Sequence, residues 1–128
     1  MADDDEALIE LATKIFGFAR AGETTQLLEY LDAGTPVGLA NDRGDTLLML
    51  AAYHGHVDTV KALLDRGADP NQINDAWQTP LAGAVFKGEK DVVAALVAAG
   101  ADPHAGSPSA IEAAQMFGQD DLLKLFNS

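Results

Sequence analysis

A chain of 128 residues with 48% hydrophobic residues is long enough for one domain that buries about two-thirds of its unfolded surface. Its 20 acidic and 8 basic side chains give a net charge of −12. This charge disfavours nucleic-acid binding and favours a partner protein with a basic patch, or solubility alone. The chain lacks cysteine, a secretory signal, and the apolar run of roughly 20 residues that crosses a membrane. We therefore expect a cytoplasmic protein without disulfides.

The N-terminal segment, residues 2–20, predicts a helix longer than any later one. Acidic residues 3–6 occupy its first turn, where negative charge favours the positive end of the helix dipole. This acidic run is either a docking segment or a solvated helix start. Apolar residues at helical spacing predict one apolar face, which consists of Leu8, Leu11, Ala12, Ile15 and Ala19.

Two stretches of the chain repeat the same pattern with an offset of 33 residues. Residues 41–70 align with residues 74–103 without a gap, and 14 of the 30 aligned positions are identical. Each copy predicts two short helices joined by a tight turn, at Gly55 in the first copy. A fixed period of this length is typical of a stacked helical repeat, in which each unit packs only on its neighbours.

The ends of the predicted helices carry their own signals. Thr46 and Thr79 are placed to cap the first helix of each copy through their hydroxyl groups. Pro80 follows in the first turn, where its missing N–H costs nothing. Gly67 and Gly100 are placed to end the second helices, because a left-handed residue after a helix is cheapest for glycine.

Weaker copies of the pattern extend it to both ends of the chain. The first copy has a long leading helix, and the last keeps the period only after losing three residues. Polar residues on the outer side of the last copy suit a cap that covers the end of a stack. We expect one domain, residues 1–128, built of a capping repeat 1–37, repeats 38–70 and 71–103, and a capping repeat 104–128.

Three motifs in these copies resemble those of the ankyrin repeat family. Thr79-Pro80-Leu81 is similar to its TPL turn, Ala51-Ala52 with Gly55-His56 to its AAxxGH pattern, and residues 67–71 to its GADxN pattern. The resemblance implies an all-α solenoid of helix–turn–helix units with short hairpin-like fingers. It also implies a non-catalytic, cofactor-free protein that binds a partner protein through its concave face and finger tips.

The resemblance also indicates where partner-binding residues are expected. They lie in the exposed pair before each inter-helix glycine and in the fingers 38–45 and 71–78. The candidates at the helix ends are Arg20, Tyr53, His54, Phe86, Lys87 and Met116; the candidates in the fingers are Asp42, Arg43, Asp45, Asp75, Trp77 and Gln78. Aromatic side chains dominate binding energy in many interfaces. Three competing interpretations are that the phenylalanines pack between repeats, that the finger aspartates are solvated turn residues, and that the tryptophan folds over a neighbouring finger.

The tryptophan, Trp77, also departs from the family pattern, because it stands where a turn glycine is expected. The equivalent residue one repeat earlier is Gly44. A second departure concerns the Gly-His pair, which is intact only at Gly55-His56. By resemblance, His56 bridges turn backbone, whereas His54 is a surface residue.

Catalytic and metal-binding patterns are weak. His54 and His56 straddle a turn and lack the further ligands that zinc requires. Residues 83–89 superficially resemble a phosphate-binding loop, but Glu89 stands where that motif needs lysine. Serines are few, and no nucleophile–base pair can be picked out. We expect no enzyme, no metal and no cofactor.

The predicted function is that of an inhibitor, scaffold or regulator that binds one partner protein as a monomer. The acidic charge leaves a second interpretation, an inhibitor that mimics nucleic acid and blocks a basic enzyme or toxin. A third interpretation is an enzyme with an unrecognised cleft, and a fourth is a homo-oligomer that buries the aromatic side chains.

Overall fold

The computed structural model describes residues 2–127, and side chains from residue 5 to residue 127. The side chains of Asp3 and Asp4, part of the predicted acidic run, lie outside the described residues. Asp5 and Glu6 are exposed at the start of the first helix. Within residues 2–127, no helix combines the length and apolar character needed to cross a membrane.

The described residues contain eight α-helices and no β-strand. Their bounds are α1 Ala2–Ala21, α2 Thr24–Asp32, α3 Leu47–Tyr53, α4 Val57–Asp65, α5 Pro80–Lys87, α6 Lys90–Ala98, α7 Ala110–Met116 and α8 Asp120–Phe126. Consecutive helices pair as α1/α2, α3/α4, α5/α6 and α7/α8. The fold is therefore an all-α helical solenoid, as the period predicts.

The first helices begin where the sequence predicts caps. The hydroxyl oxygens of Thr46 and Thr79 accept hydrogen bonds from the Met49 and Ala82 amides, at 3.2 and 3.1 Å. Each bond satisfies a backbone amide that has no partner within its own helix. Pro80 is the first residue of α5, as predicted.

Stacking of neighbouring pairs creates one continuous core. The first helices α1, α3, α5 and α7 pack in sequence, and α2, α4 and α6 form a second layer. The largest fully buried apolar side chains of the core are Ile15, Leu27, Leu47, Leu48, Val60, Leu63, Leu81, Val85, Val92, Val93 and Leu96. Full burial of one such side chain contributes about 1.5–3 kcal/mol.

Helix α1 extends beyond the stack at its N-terminal end. Ile15 and Ala19 are buried, but Leu8 and Leu11 are 64% and 40% exposed. The predicted apolar face of this helix is therefore buried only in its C-terminal half. Helix α3, which packs against α1, has only 7 residues and therefore does not cover the N-terminal turns of the 20-residue α1.

At two inter-helix turns, a side chain from the next repeat packs directly against the turn glycine. A Cβ atom added to Gly22 would lie 2.5 Å from Nδ1 of His56, and one added to Gly55 would lie 2.6 Å from the Glu89 carboxyl group. Both glycines also have positive φ angles, of 72° and 77°. Backbone conformation and close approach thus both require glycine at these turns.

Candidate functional site

A groove of about 910 Å³ is lined by the first helices α1, α3 and α5. The segment before α3, residues 40–45, and the residues that lead into α5, residues 78–80, also line the groove. Eight of the predicted partner-binding residues line it: Arg20, Asp42, Arg43, Asp45, Tyr53, His54, Gln78 and Phe86. The structure therefore brings together residues that are spread over three repeats of the sequence.

The other four predicted residues lie outside the groove lining. Lys87 lies at its edge, with Nζ 5.1 Å from the centroid of the Tyr53 ring. Asp75 and Met116 are exposed and do not line the groove. Trp77 is 65% exposed at a finger tip, so its side chain is not folded away from solvent.

Exposed rings form a row along the ends of the first helices. Tyr53 is 43% exposed and Phe86 is 56% exposed. Phe86 meets Phe117 edge to face, with ring centroids 5.3 Å apart, yet Phe117 also keeps 48% exposure. The two phenylalanines thus pack on each other across neighbouring repeats while part of each ring remains available to a partner.

Backbone geometry at Trp77 is unusual for a large residue. Its φ angle is +64°, in the left-handed region, and Gly44 at the equivalent position has φ +78°. A side chain in this region costs roughly 1–2 kcal/mol. The Trp77 carbonyl oxygen accepts a hydrogen bond from the Ser107 amide at 2.9 Å, which ties this finger to the next.

Hydrogen bonds within the fingers occupy two of the predicted binding residues. Asn74 is buried, and its Nδ2 donates to Oδ1 of Asp45 at 2.8 Å and to Oε1 of Gln78 at 2.7 Å. Its Oδ1 accepts from the amides of Ala76 and Gln78. The side chains of Asp45 and Gln78 therefore help to fix the fingers as well as line the groove. Sequence reasoning missed Asn74, although the 33-residue period aligns it with Asn41.

The two histidines of the α3–α4 turn have different roles. His56 Nε2 donates a hydrogen bond of 2.7 Å to the Arg20 carbonyl oxygen, which confirms its predicted bridging of turn backbone. His54 is exposed, and the ring centroids of the two histidines lie 6.4 Å apart. In the part of the chain that the structure describes, no three His, Asp or Glu side chains are close enough to share a metal ion.

The N-terminal part of α1 adds a wall to the groove that sequence reasoning did not assign to the site. Ile9, Ala12, Thr13 and Phe16 line the groove together with Arg20. Their spacing of three or four residues places them along one side of the helix, beside the predicted apolar face and sharing only Ala12 with it, so the sequence contained a signal for this wall. Ile9 is 65% exposed and enlarges the apolar surface beside the finger before α3.

Comparison with known proteins bears on this architecture. A family model described as ankyrin repeats in three copies matches residues 15–107. The chain belongs to the ankyrin repeat family. A Pseudomonas aeruginosa protein named as a putative ankyrin repeat protein is 48% identical over 52 residues, which are 41% of this chain and 30% of that protein. The chain thus matches less than a third of the length of this relative.

Membership of the family has a general functional consequence. Ankyrin repeats mediate protein–protein interactions and are typically non-catalytic. The groove is consistent with this use, because packed helices and hydrogen-bonded fingers hold its side chains in place. A preformed surface of this kind loses little conformational entropy when it binds.

Proposed function

We propose that this ankyrin repeat protein binds one partner protein through the concave groove and the finger tips, and inhibits, scaffolds or regulates it without catalysis. The observation that carries the proposal is the row of exposed rings, Tyr53 and Phe86, beside a groove of about 910 Å³. Large exposed apolar side chains cost solvation free energy unless a partner covers them, and aromatic side chains supply much of the affinity in interfaces.

The predicted contact residues form two groups in this proposal. Tyr53, His54 and Phe86 supply the main contact surface, with Arg20 and Lys87 beside them. Trp77 supplies a separate contact at a finger tip, where its strained backbone conformation marks it as a residue kept for a reason other than stability. The repeat bounds 1–37, 38–70, 71–103 and 104–128 belong to the same proposal, as does a monomer that acts in the cytoplasm.

The test is capture of partner proteins from a native lysate on the immobilised chain, with identification by mass spectrometry. The test variant combines Tyr53→Ala with Phe86→Ala. The matched control combines Lys61→Ala with Asp91→Ala, which alters exposed residues of the second helices α4 and α6. We expect one set of proteins to be lost with the test variant and kept with the control. Equal capture by both variants would refute the groove as the binding site.

A second candidate function is the inhibitor that mimics nucleic acid, and the net charge of −12 is the observation that favours it. Binding in that case depends on many exposed charges and weakens steeply with salt, because salt screens exposed charges beyond about 10 Å at 0.1 M. Binding through the groove depends mainly on exposed rings that the partner covers, so its affinity falls far less with salt. Affinity for the captured partner measured at several salt concentrations separates the two functions. Light scattering over a range of protein concentrations tests the monomer.

A further inference from the structure

Four side chains that carry or can acquire positive charge lie near the C-terminal ends of α1, α3 and α5; we call Arg20, His54, His56 and Lys87 the cationic corner. Lys87 Nζ lies 5.1 Å from the centroid of the Tyr53 ring, and the His54 ring centroid lies 5.5 Å from it. The His56 ring is 6.4 Å from His54 and bonds to the backbone of Arg20. The corner thus joins the ends of α1, α3 and α5 into one site.

The charges of this corner have no counter-ion among the described residues. The two ion pairs among the described residues join Arg66 to Asp32 and Lys90 to Asp121, so neither Arg20 nor Lys87 has a carboxylate within 4.0 Å. The Glu89 carboxylate lies against Gly55, in the turn between His54 and His56. Partial burial lowers the pKa of His54, and the charges of His56, Lys87 and Arg20 lower that pKa further, so these charges act on a common space.

Helix dipoles stabilise three members of the cationic corner, Arg20, His54 and Lys87. Arg20 and Lys87 lie in the last turns of α1 and α5, and His54 is the C-terminal cap of α3. The C-terminal ends of helices carry partial negative charge and stabilise cations. This stabilisation leaves the charged groups exposed to solvent and available to an anion.

We propose that the groove binds a linear segment of the partner in which a carboxylate side chain lies next to a large apolar side chain. The carboxylate occupies the cationic corner, where charged donors give strong hydrogen bonds. The apolar side chain packs on Tyr53 and Phe86. This inference rests on the proposed function and names the chemistry of its partner.

The opposite edge of the groove gives the segment a direction. Asp42, Arg43 and Asp45 line the finger side, where two carboxylates and one guanidinium leave a net negative charge that favours a basic residue over a second carboxylate. The basic partner surface expected from the net charge therefore belongs at the fingers. The acidic residue of the segment belongs at the helix ends.

Selection from a phage library of random linear peptides on the immobilised chain tests this chemistry. We expect the selected peptides to carry Asp or Glu beside Phe, Leu or Trp. In calorimetry, replacing that acid by its amide or combining Arg20→Gln with Lys87→Gln should weaken binding about 10-fold or more. The matched control combines Lys61→Gln with Lys124→Gln, which removes the same charge from exposed sites on α4 and α8 and should leave affinity unchanged.

An NMR titration of the His54 ring adds a readout that is independent of affinity. The groups that face His54 are His56, Lys87 and Arg20, with Glu89 at the adjoining turn. A bound carboxylate favours the protonated ring, so the acidic peptide should raise the pKa of His54 and its amide analogue should not.

The outcomes separate this proposal from the function on which it rests. Two results overturn the carboxylate site and leave groove binding intact. In the first, the selected peptides need Tyr53 but lack an acidic residue. In the second, they bind the Arg20→Gln/Lys87→Gln variant as tightly as the unaltered chain. If no selected peptide loses its affinity when Tyr53 is replaced by alanine, the groove does not bind a linear segment. Capture of partner proteins with the alanine variants then decides the proposed function separately.

Discussion

The hydrogen bonds of Asn74 allow a quantitative prediction. The side chain makes four bonds, two donated at 2.8 and 2.7 Å and two accepted at 3.0 and 2.9 Å. Each bond contributes about 0.5–1.5 kcal/mol net. Water can replace part of the loss at Asp45 and Gln78, so we expect Asn74→Ala to lower the free energy of unfolding by about 2–4 kcal/mol.

Asn41 provides the matched control because it occupies the equivalent position one repeat earlier. It accepts two bonds, from the amides of Arg43 and Asp45, both at 3.0 Å, and it is only half-buried. Asn41→Ala should therefore cost about 1–2 kcal/mol. Urea unfolding followed by far-UV circular dichroism measures both values.

An isosteric variant separates hydrogen bonding from side-chain volume. Asn74→Asp keeps the shape and the acceptor but removes the donor and places a carboxylate beside Asp45. At neutral pH it should be at least as destabilising as Asn74→Ala, because like charges at this distance repel. If Asn74→Ala costs no more than Asn41→Ala, the fingers are not fixed by this side chain and the reasoning is wrong.

Three further predictions concern single residues around the groove. Glu89→Gln should raise the free energy of unfolding, measured by urea unfolding, by about 0.5–1.5 kcal/mol. The Gln119 side chain donates a hydrogen bond to the Val85 carbonyl of the preceding repeat, and a glutamine at residue 89 could do the same, whereas a carboxylate cannot donate. An unchanged free energy of unfolding would contradict this prediction. Trp77→Gly should change stability by less than about 1 kcal/mol, since relief of the left-handed strain offsets the entropy of glycine, while affinity for the captured partner falls; a large loss of stability would show a structural role. Because the pKa of His54 is lowered from 6.5 on folding, the unfolded chain binds its proton more readily. The His54 contribution to stability should be constant above about pH 7 and fall as the pH drops below 6.5. In thermal melts, the melting temperature of His54→Gln should therefore fall less steeply across this range than that of the unaltered chain. An equally steep fall would exclude His54 as the source of the pH dependence.

Much of the architecture could be predicted from local signals in the sequence. The caps at Thr46 and Thr79 depend on one side chain and its own helix, so a short stretch of sequence contains all that is needed. The turns at Gly22 and Gly55 repeat in phase with the period. The all-α fold and the family therefore follow from the residues alone.

The parts that sequence reasoning missed depend on contacts between repeats. The partners of Asn74 lie in two different fingers, and the sequence does not show that they converge on one amide. The length of α1 was predicted, but not that α3 is too short to cover Leu8. Whether Tyr53 packs or stays exposed also depends on neighbouring helices, so the twelve predicted contact residues remain a proposal.

The side chains that lie over the turn glycines determine which repeats can follow one another. The boundary after the first repeat pairs His56 with Gly22, and the next boundary pairs Glu89 with Gly55. In a tandem copy of residues 38–70, the second His56 would lie over the first Gly55 and could bond to the carbonyl of Tyr53. Duplication of this segment would lengthen the solenoid with the same type of contact that already joins its first two repeats.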